Sequence, residues 1–116
     1  MSLLDATQNA LEAAMRGSEM QQTVLTNNLA NTDTPGFQPS SVNFQSTLAS
    51  AMQAGQSPTS VSFAPQTEAN VSTADGNGVN AEATSADLAS NGLLYEDLAA
   101  VATQREQILI SAIGTG

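Results

Sequence analysis

A Pro-Gly turn at residues 34–37 constrains this chain more than any other feature, because it must stop the helix that precedes it. Pro35 fixes its own φ near the value of the second turn position, and Gly36 accepts the positive φ of the third. The proline also disfavours a helical backbone at Thr34. Asn31 can end the helix, since asparagine tolerates the left-handed conformation of a helix C-terminus. The turn therefore predicts a first helix that ends by about residue 32.

Residues 3–30 fit a single amphipathic helix. At about 100° per residue its apolar side chains share one narrow sector. They are Leu4, Leu11, Met15, Leu25 and Leu29. Ser18 and Gln22 fall in the same stripe, and an acidic row runs beside it at seven-residue spacing, formed by Asp5, Glu12 and Glu19. This pattern is typical of a coiled-coil seam with a solvated acidic flank.

A second long helix is predicted near the C-terminus, from Thr84 or Ser85 to Ile113. The capping-box spacing of residues 84–87 marks its start, and Gly114 marks its end. One apolar stripe contains Leu94, Leu98, Val101, Ile108 and Ala112. A second stripe, about 90° further round, contains Leu88, Tyr95, Ala102, Leu109 and Ile113. The combined face is wider than one partner helix can cover, which favours packing between subunits over burial inside a monomer.

Subunit packing is accordingly predicted at the apolar positions of both helices. The predicted contact residues are Leu4, Leu11, Met15, Leu25, Leu29, Leu94, Tyr95, Leu98, Val101 and Ile108.

The segment between the two helices has a different character. Fourfold spacing of Phe44, Leu48 and Met52 predicts a short helix within residues 42–52. Beyond it the chain is rich in Gly, Pro, Ser, Thr and Asn, which favours loops. Only residues 61–63 and 70–73 alternate like strands, with a turn at residues 75–78 between them and the second long helix. This region is either a small loop or hairpin or partly disordered in a free subunit.

The predicted fold is mainly α. Two long N- and C-terminal helices pack as a coiled-coil-like pair, with a short helix and a small loop or β-hairpin region between them. The predicted divisions are residues 1–32 for the N-terminal helix, 33–83 for the turn and hairpin region, and 84–116 for the C-terminal helix.

Composition excludes several classes of function. The chain has no Cys or His, so the usual zinc ligands, thiol nucleophiles and imidazole bases are absent. Its formal charge is -9, and Arg16 and Arg105 are its only cations. Nucleic acid and anionic membrane are therefore poor partners. No catalytic residue, metal or cofactor is predicted, and the adjacent carboxylates of Glu96 and Asp97 point about 100° apart on a helix.

Nothing at the N-terminus has the pattern of a cleaved secretory signal, because Asp5, Glu12 and Glu19 interrupt residues 1–20. No run of about 18 apolar residues is present, so direct insertion into a membrane is not expected.

The segment around the Pro-Gly turn resembles the signature of the flagellar rod and hook axial protein family. That signature is roughly L-x-N-N-[IL]-A-N-x-x-T-P-G-[FY], and every anchor is present here. The anchors are Leu25, Asn27, Asn28, Leu29, Ala30, Asn31, Thr34, Pro35, Gly36 and Phe37. Thr-Pro-Gly alone would indicate only an ordinary helix-to-loop junction, but ten anchors at fixed spacing favour the family.

The resemblance narrows to the short rod subunits of that family. Residues 75–80 and 88–95 are similar to the D-G-N-x-V-[DN] and L-A-x-N-x-L-x-Y spacings of a rod protein, and the large inserted domains of hook subunits are missing. The chain departs from the family pattern, which expects acidic residues and methionine after the turn, at Ala81, Ala83, Thr84 and Ser85. Residues 55–74 resemble nothing further.

What the resemblance implies is a structural subunit of the proximal rod of the bacterial flagellar basal body. Such subunits polymerise into the hollow shaft that carries torque from rotor to hook. The implied partners are further copies of the chain in a helical assembly, other rod proteins, and the adapter where the rod meets the membrane ring and export gate. The implied location is the periplasmic rod, reached by type III export without a cleaved signal peptide. Alternatives are another small rod subunit, or a soluble helical adaptor or chaperone.

Overall fold

The computed structural model describes residues 3–68 and 76–114, and two long helices dominate it. In chain order the elements are helix α1 (Leu3–Ala30), strand β1 (Ser40–Ser41), helix α2 (Phe44–Gln53), a 3₁₀ turn (Pro58–Ser60), strand β2 (Gln66–Thr67) and helix α3 (Ala81–Gly114). The predicted fold class is confirmed: the long terminal helices pack together, with a short helix and a two-stranded hairpin between them. The first helix has the predicted bounds.

Helices α1 and α3 lie antiparallel along their length. Ser18 of α1 is hydrogen-bonded to Asn91 of α3, and Gln8 to the carbonyl of Ala102, so rising numbers on one helix meet falling numbers on the other. In this register the start of α1 falls opposite Gln107, and α3 continues for another seven residues. The molecule is consequently elongated, with extents of 66 × 28 × 13 Å and a radius of gyration of 17.7 Å. A compact chain of this size would have a radius of gyration of about 13 Å.

Helix α3 starts earlier than the sequence predicts. It begins at Ala81, whereas the capping-box pattern placed the start at Thr84 or Ser85. Asn80 is the actual cap, because its Oδ1 accepts the N–H of Ala83 at 3.0 Å and its carbonyl accepts the N–H of Thr84 at 2.9 Å. Asparagine caps a helix as well as serine or threonine does. The earlier cap adds nearly one turn to the helix.

Helix α2 exists as predicted but begins at Phe44, two residues after the predicted start. Val42 lies outside it, and its N–H donates to Oε1 of Gln21 on α1 at 2.6 Å. This bond fixes the approach of the chain to α2.

The hairpin is built from residues other than those predicted. Strand β1 pairs antiparallel with β2, with Ser40 opposite Thr67 and Ser41 opposite Gln66. The predicted strand at 61–63 is wrong, since this segment is not a strand in the structure. The guanidinium of Arg16 donates to the carbonyl of Val61 at 3.3 Å, so a neighbouring strand would have to compete for this acceptor. The other predicted strand, residues 70–73, and Asp75 of the predicted turn lie outside the described residues.

A small apolar core sits where α2 crosses α1. Phe44 is buried against Gly17, where an added Cβ would come within 2.7 Å of Cγ of the phenylalanine. The Phe63 ring meets Phe44 edge to face, with centroids 6.5 Å apart. Only a glycine at position 17 allows this approach. Helix α2 can therefore pack closely on α1 because residue 17 has no side chain.

Candidate assembly interface

The asparagine-rich end of α1 holds the hairpin by side-chain hydrogen bonds. Asn28 is buried, and its Nδ2 donates to the carbonyl of Ser40 at 2.7 Å while its Oδ1 accepts the N–H of the same residue at 3.1 Å. These two bonds satisfy the edge of β1 that does not face β2. A motif asparagine thus takes the place of a neighbouring strand.

The turn after α1 has the predicted geometry. The N–H of Phe37 donates to the carbonyl of Thr34 at 3.2 Å, and Gly36 has φ of 77°. Asn31 ties this turn back to α1, because its Nδ2 donates to the carbonyl of Asn27 at 2.8 Å and its Oδ1 accepts the hydroxyl of Thr34 at 3.1 Å. Both expectations for the turn, a bend at residues 34–37 and a positive φ at Gly36, are confirmed.

The loop before α3 docks onto that turn through Asn77. This side chain is 2% exposed, and its Nδ2 donates to the carbonyls of Asn31 at 2.9 Å and Thr34 at 2.6 Å. Its Oδ1 accepts the N–H of Val79 at 2.7 Å. We call residues 31–37 together with residues 76–79 the clasp, because they join the end of α1 to the start of α3.

Backbone contacts complete the clasp. The N–H of Gly78 donates to the carbonyl of Phe37 at 2.9 Å, and Gly76, with φ of 79°, lies against the backbone of Gly36. Two glycines with positive φ therefore meet where the two chain segments cross. Positive φ at both positions favours residues without a Cβ.

A second polar contact lies midway along the helix pair. The hydroxyl of Ser18 donates to Oδ1 of Asn91 at 3.3 Å, and Nδ2 of Asn91 donates to the carbonyl of Ser18 at 2.8 Å and to Oε1 of Gln22 at 3.0 Å. Ser18 and Asn91 are both buried. We call these three residues the polar seam. Its directional bonds fix one register between α1 and α3, as a buried asparagine does in a coiled coil.

The polar seam was visible from the sequence only on the α1 side. In the sequence, Ser18 and Gln22 are polar residues within an apolar stripe, whereas Asn91 and Asn77 belong only to turn and family patterns. The position of Asn91 on α3 is the signal that could have identified it. This residue lies between the two apolar stripes of α3, on the side that meets α1.

The apolar residues of α1 face the rest of the chain. Leu25 is 5% exposed, and Leu11, Met15 and Leu29 are half-buried. The side chain of Leu4 lies outside the described residues. Among the other motif residues, Ala30 and Pro35 are exposed. The predicted contact face of α1 is therefore largely covered within the subunit itself.

The two apolar stripes of α3 have different surroundings. Leu88, Tyr95 and Ala102, in one stripe, are buried or half-buried along α1, and Leu109 of the same stripe is half-buried beyond the start of α1. The other stripe is more open: Leu94 and Leu98 are half-buried, but Val101 is 45% and Ile108 is 67% exposed. We call Leu94, Leu98, Val101 and Ile108 the open stripe. A groove of about 480 Å³ beside α1 and β1 is lined in part by Leu94.

The end of α3 that passes beyond α1 is exposed on several sides. Ile108, Ile110 and Ile113 are all more than half exposed, and residues 107–114 carry no charged side chain. A helix segment that is apolar around its circumference is usually buried in its functional state. The open stripe and this end together form an apolar surface that the subunit does not cover.

Charged side chains are exposed on both long helices, and Asp97 of α3 lies on the same helix face as Val101. Asp5, Glu12 and Glu19 are exposed on α1. Of the two cations, Arg16 also donates to the carbonyl of Pro58 at 3.2 Å, so it serves the fold rather than a ligand. No helix within the described ranges has the length and hydropathy needed to cross a bilayer.

The chain thus forms an elongated antiparallel helix pair with a clasp at one end and an apolar stripe that it does not itself cover. Residues 1–38 match the family model described as flagella basal body rod protein. This match confirms the resemblance that the motif residues indicated.

Curated relatives agree with the family match. The flagellar basal body rod protein FlgB of Bacillus subtilis (strain 168) is 44% identical over 48 residues, which cover 41% of this chain and 37% of the relative. The protein of the same name from Escherichia coli (strain K12) is 41% identical over 58 residues, covering 50% of this chain and 42% of the relative. The chain thus matches about two fifths of the length of these relatives.

Proposed function

We propose that this chain is a structural subunit of the proximal rod of the bacterial flagellar basal body, and that it polymerises into the shaft that carries torque from rotor to hook. The match of residues 1–38 to the rod family carries the proposal. The similarity to proteins named FlgB favours this rod subunit over other small ones.

The mechanism follows from the stiffness of packed helices. Helix α1 has 28 residues and α3 has 34, which correspond to lengths of about 42 Å and 51 Å. The clasp and the polar seam stop these helices from sliding past each other inside one subunit. Burial of the open stripe against a neighbour would then resist bending and slipping between subunits.

The partners we propose are further copies of this chain, other rod proteins, and the adapter where the rod meets the membrane ring and the export gate. The open stripe and the end of α3 supply the apolar surface for these contacts.

We further propose that the chain reaches the periplasmic rod by type III export without cleavage of its N-terminal helix. The support is structural: α1 carries Ser18, Leu25 and Asn28, which hold α3 and the hairpin. Removal of this helix would delete half of the helix pair.

The assembly role is tested by Val101→Asp and Ile108→Asp in the bacterium that carries the chain. Both side chains are exposed in the subunit, so the isolated variants should keep their helical circular dichroism and change in stability by only about 0.5 kcal/mol. In the assembled rod each aspartate would have to be desolvated, at a cost of roughly several kcal/mol per contact. We expect the variants to be missing from purified basal bodies and the cells to lose motility.

Glu12→Gln, on the exposed flank of α1, is the matched control and should assemble normally. Normal incorporation of both Asp variants would refute the assembly role of the open stripe. A soluble adaptor or chaperone would instead form a compact dimer whose size does not change with concentration.

A further inference from the structure

Two buried asparagines connect the segments of α1 and α3, and each of them is followed in the sequence by glycine. The sequence contains two Asn-Gly steps, Asn77-Gly78 and Asn91-Gly92. The first asparagine is the centre of the clasp and the second is the centre of the polar seam. The two most reactive asparagines of the chain are therefore the two that fix its helix pair.

An Asn-Gly step is chemically labile because glycine leaves its own backbone nitrogen unhindered. After losing its proton, that nitrogen attacks Cγ of the asparagine side chain. The C–N bond to the amide nitrogen breaks, ammonia leaves, and a five-membered succinimide forms. Water then opens the ring at either carbonyl and gives aspartate or isoaspartate. No oxidant, reductant or co-reactant other than water is needed.

The folded chain blocks this reaction at Asn77. The attacking nitrogen belongs to Gly78, whose N–H donates to the carbonyl of Phe37 at 2.9 Å. The side chain under attack is held by its bonds to Asn31, Thr34 and Val79. Ring closure requires the nitrogen to leave its acceptor and the side chain to rotate, so the clasp must open first.

The folded chain also blocks the reaction at Asn91, but for a different reason. Gly92 lies inside α3, so its N–H belongs to the hydrogen-bond ladder of the helix and cannot swing toward the side chain. Nδ2 of Asn91 is also engaged by Ser18 and Gln22. Reaction at this step requires local unfolding of α3.

The product cannot rebuild either contact. A carboxylate has no N–H, so at position 77 it would face the carbonyls of Asn31 and Thr34 without a donor, and at position 91 it would face the carbonyl of Ser18. Each event also adds one negative charge to a chain that already carries -9. Isoaspartate additionally lengthens the backbone within the clasp or the helix.

We propose that Asn77 and Asn91 are sites of spontaneous deamidation that are protected while α1 and α3 are paired, and that either conversion prevents the pair from forming again. The chain therefore carries a chemical limit on the time it can remain unfolded and still assemble its helix pair.

The test compares the full chain in buffer with the full chain in urea at the same mildly alkaline pH. Peptide mapping by mass spectrometry follows conversion of each asparagine to aspartate or isoaspartate. We expect both Asn-Gly sites to react faster in urea by roughly tenfold or more, since opening of the folded contact becomes unnecessary. Asn43, which is exposed and precedes phenylalanine, should react slowly in both conditions.

Gly92→Ala tests the chemistry apart from the fold, because a methyl group at this position meets no atom within 4 Å. In urea it should slow the reaction at Asn91 and leave Asn77 unchanged. Chains recovered from urea with either site converted should fail to regain the circular dichroism of the untreated chain. Equal rates in buffer and urea, an Asn91 rate unaffected by Gly92→Ala, or full refolding of converted chains would each overturn the proposal.

Discussion

Asn77→Asp should open the clasp and keep the isolated chain from forming the helix pair, because it lowers the free energy of unfolding by roughly 3 kcal/mol or more. The substitution removes an amide that donates to two carbonyls at a site only 2% exposed, and it places a carboxylate beside those carbonyls. The N–H of Val79 can still donate to one carboxylate oxygen, but the other oxygen faces two carbonyls, and a buried charge in this position costs more than a lost neutral hydrogen bond. Urea unfolding followed by far-UV circular dichroism measures the change.

Asn80→Asp is the matched control, because it makes the same chemical change three residues further along. Asn80 is exposed and caps α3 through Oδ1, a role that aspartate fills equally well. A negative charge at a helix N-terminus is also favourable. We expect unchanged or slightly raised stability. An Asn77→Asp variant as stable as the control would mean that the clasp does not hold the helix pair.

Leu25→Asp should prevent the isolated subunit from folding. Leu25 is 5% exposed and lies beside Val42 and Leu94 in the angle between α1, β1 and α3. Loss of its buried area costs about 2 to 3 kcal/mol, and desolvation of the carboxylate adds further. Asp87, which borders the same groove, would repel the new charge. We expect little cooperative unfolding transition to remain.

Leu93→Asp is the control for this experiment, since Leu93 is 61% exposed on α3 and should tolerate a charge in the isolated subunit. The comparison separates two kinds of apolar residue. Leu25 stabilises one subunit, whereas Val101 and Ile108 are available to a neighbour. A soluble, fully helical Leu25→Asp variant would show that the α1–α3 contact is not the core of the subunit.

The long helices could be predicted from the sequence because their signals are local. The Pro-Gly turn determines where α1 ends, and the predicted range, residues 3–30, agrees with the helix in the structure. The start of α3 was missed because two capping patterns compete there. Asn80 prevails over Thr84, which is buried in the first turn.

The hairpin could not be predicted because its partners are set by tertiary contacts. Serine pairs such as Ser40–Ser41 have low strand propensity, yet they form a strand because Asn28 satisfies the outer edge. Residues 61–63 have the better strand pattern, but Arg16 takes the carbonyl of Val61. In both cases a side chain of α1 decides the structure of a distant backbone segment.

The predicted contact residues fall into two groups, those covered by their own chain and those left exposed. Helical periodicity cannot distinguish the two groups. A helical stripe shows which residues avoid water, but it does not show whether the covering surface belongs to the same chain. Leu25 is covered by its own chain, while Ile108 is 67% exposed. Only the antiparallel register, set by Ser18 and Asn91, places the end of α3 beyond the start of α1.

We propose that this chain is a rod subunit whose open stripe is covered by neighbouring subunits. A reconstruction of basal bodies purified from the bacterium that carries it, at side-chain resolution, tests this most directly. We predict that the chain lies in the rod with α1 and α3 paired as described, and that Val101 and Ile108 contact adjacent subunits. Absence of the chain from the rod, or an assembled chain whose open stripe faces solvent, would contradict the claim.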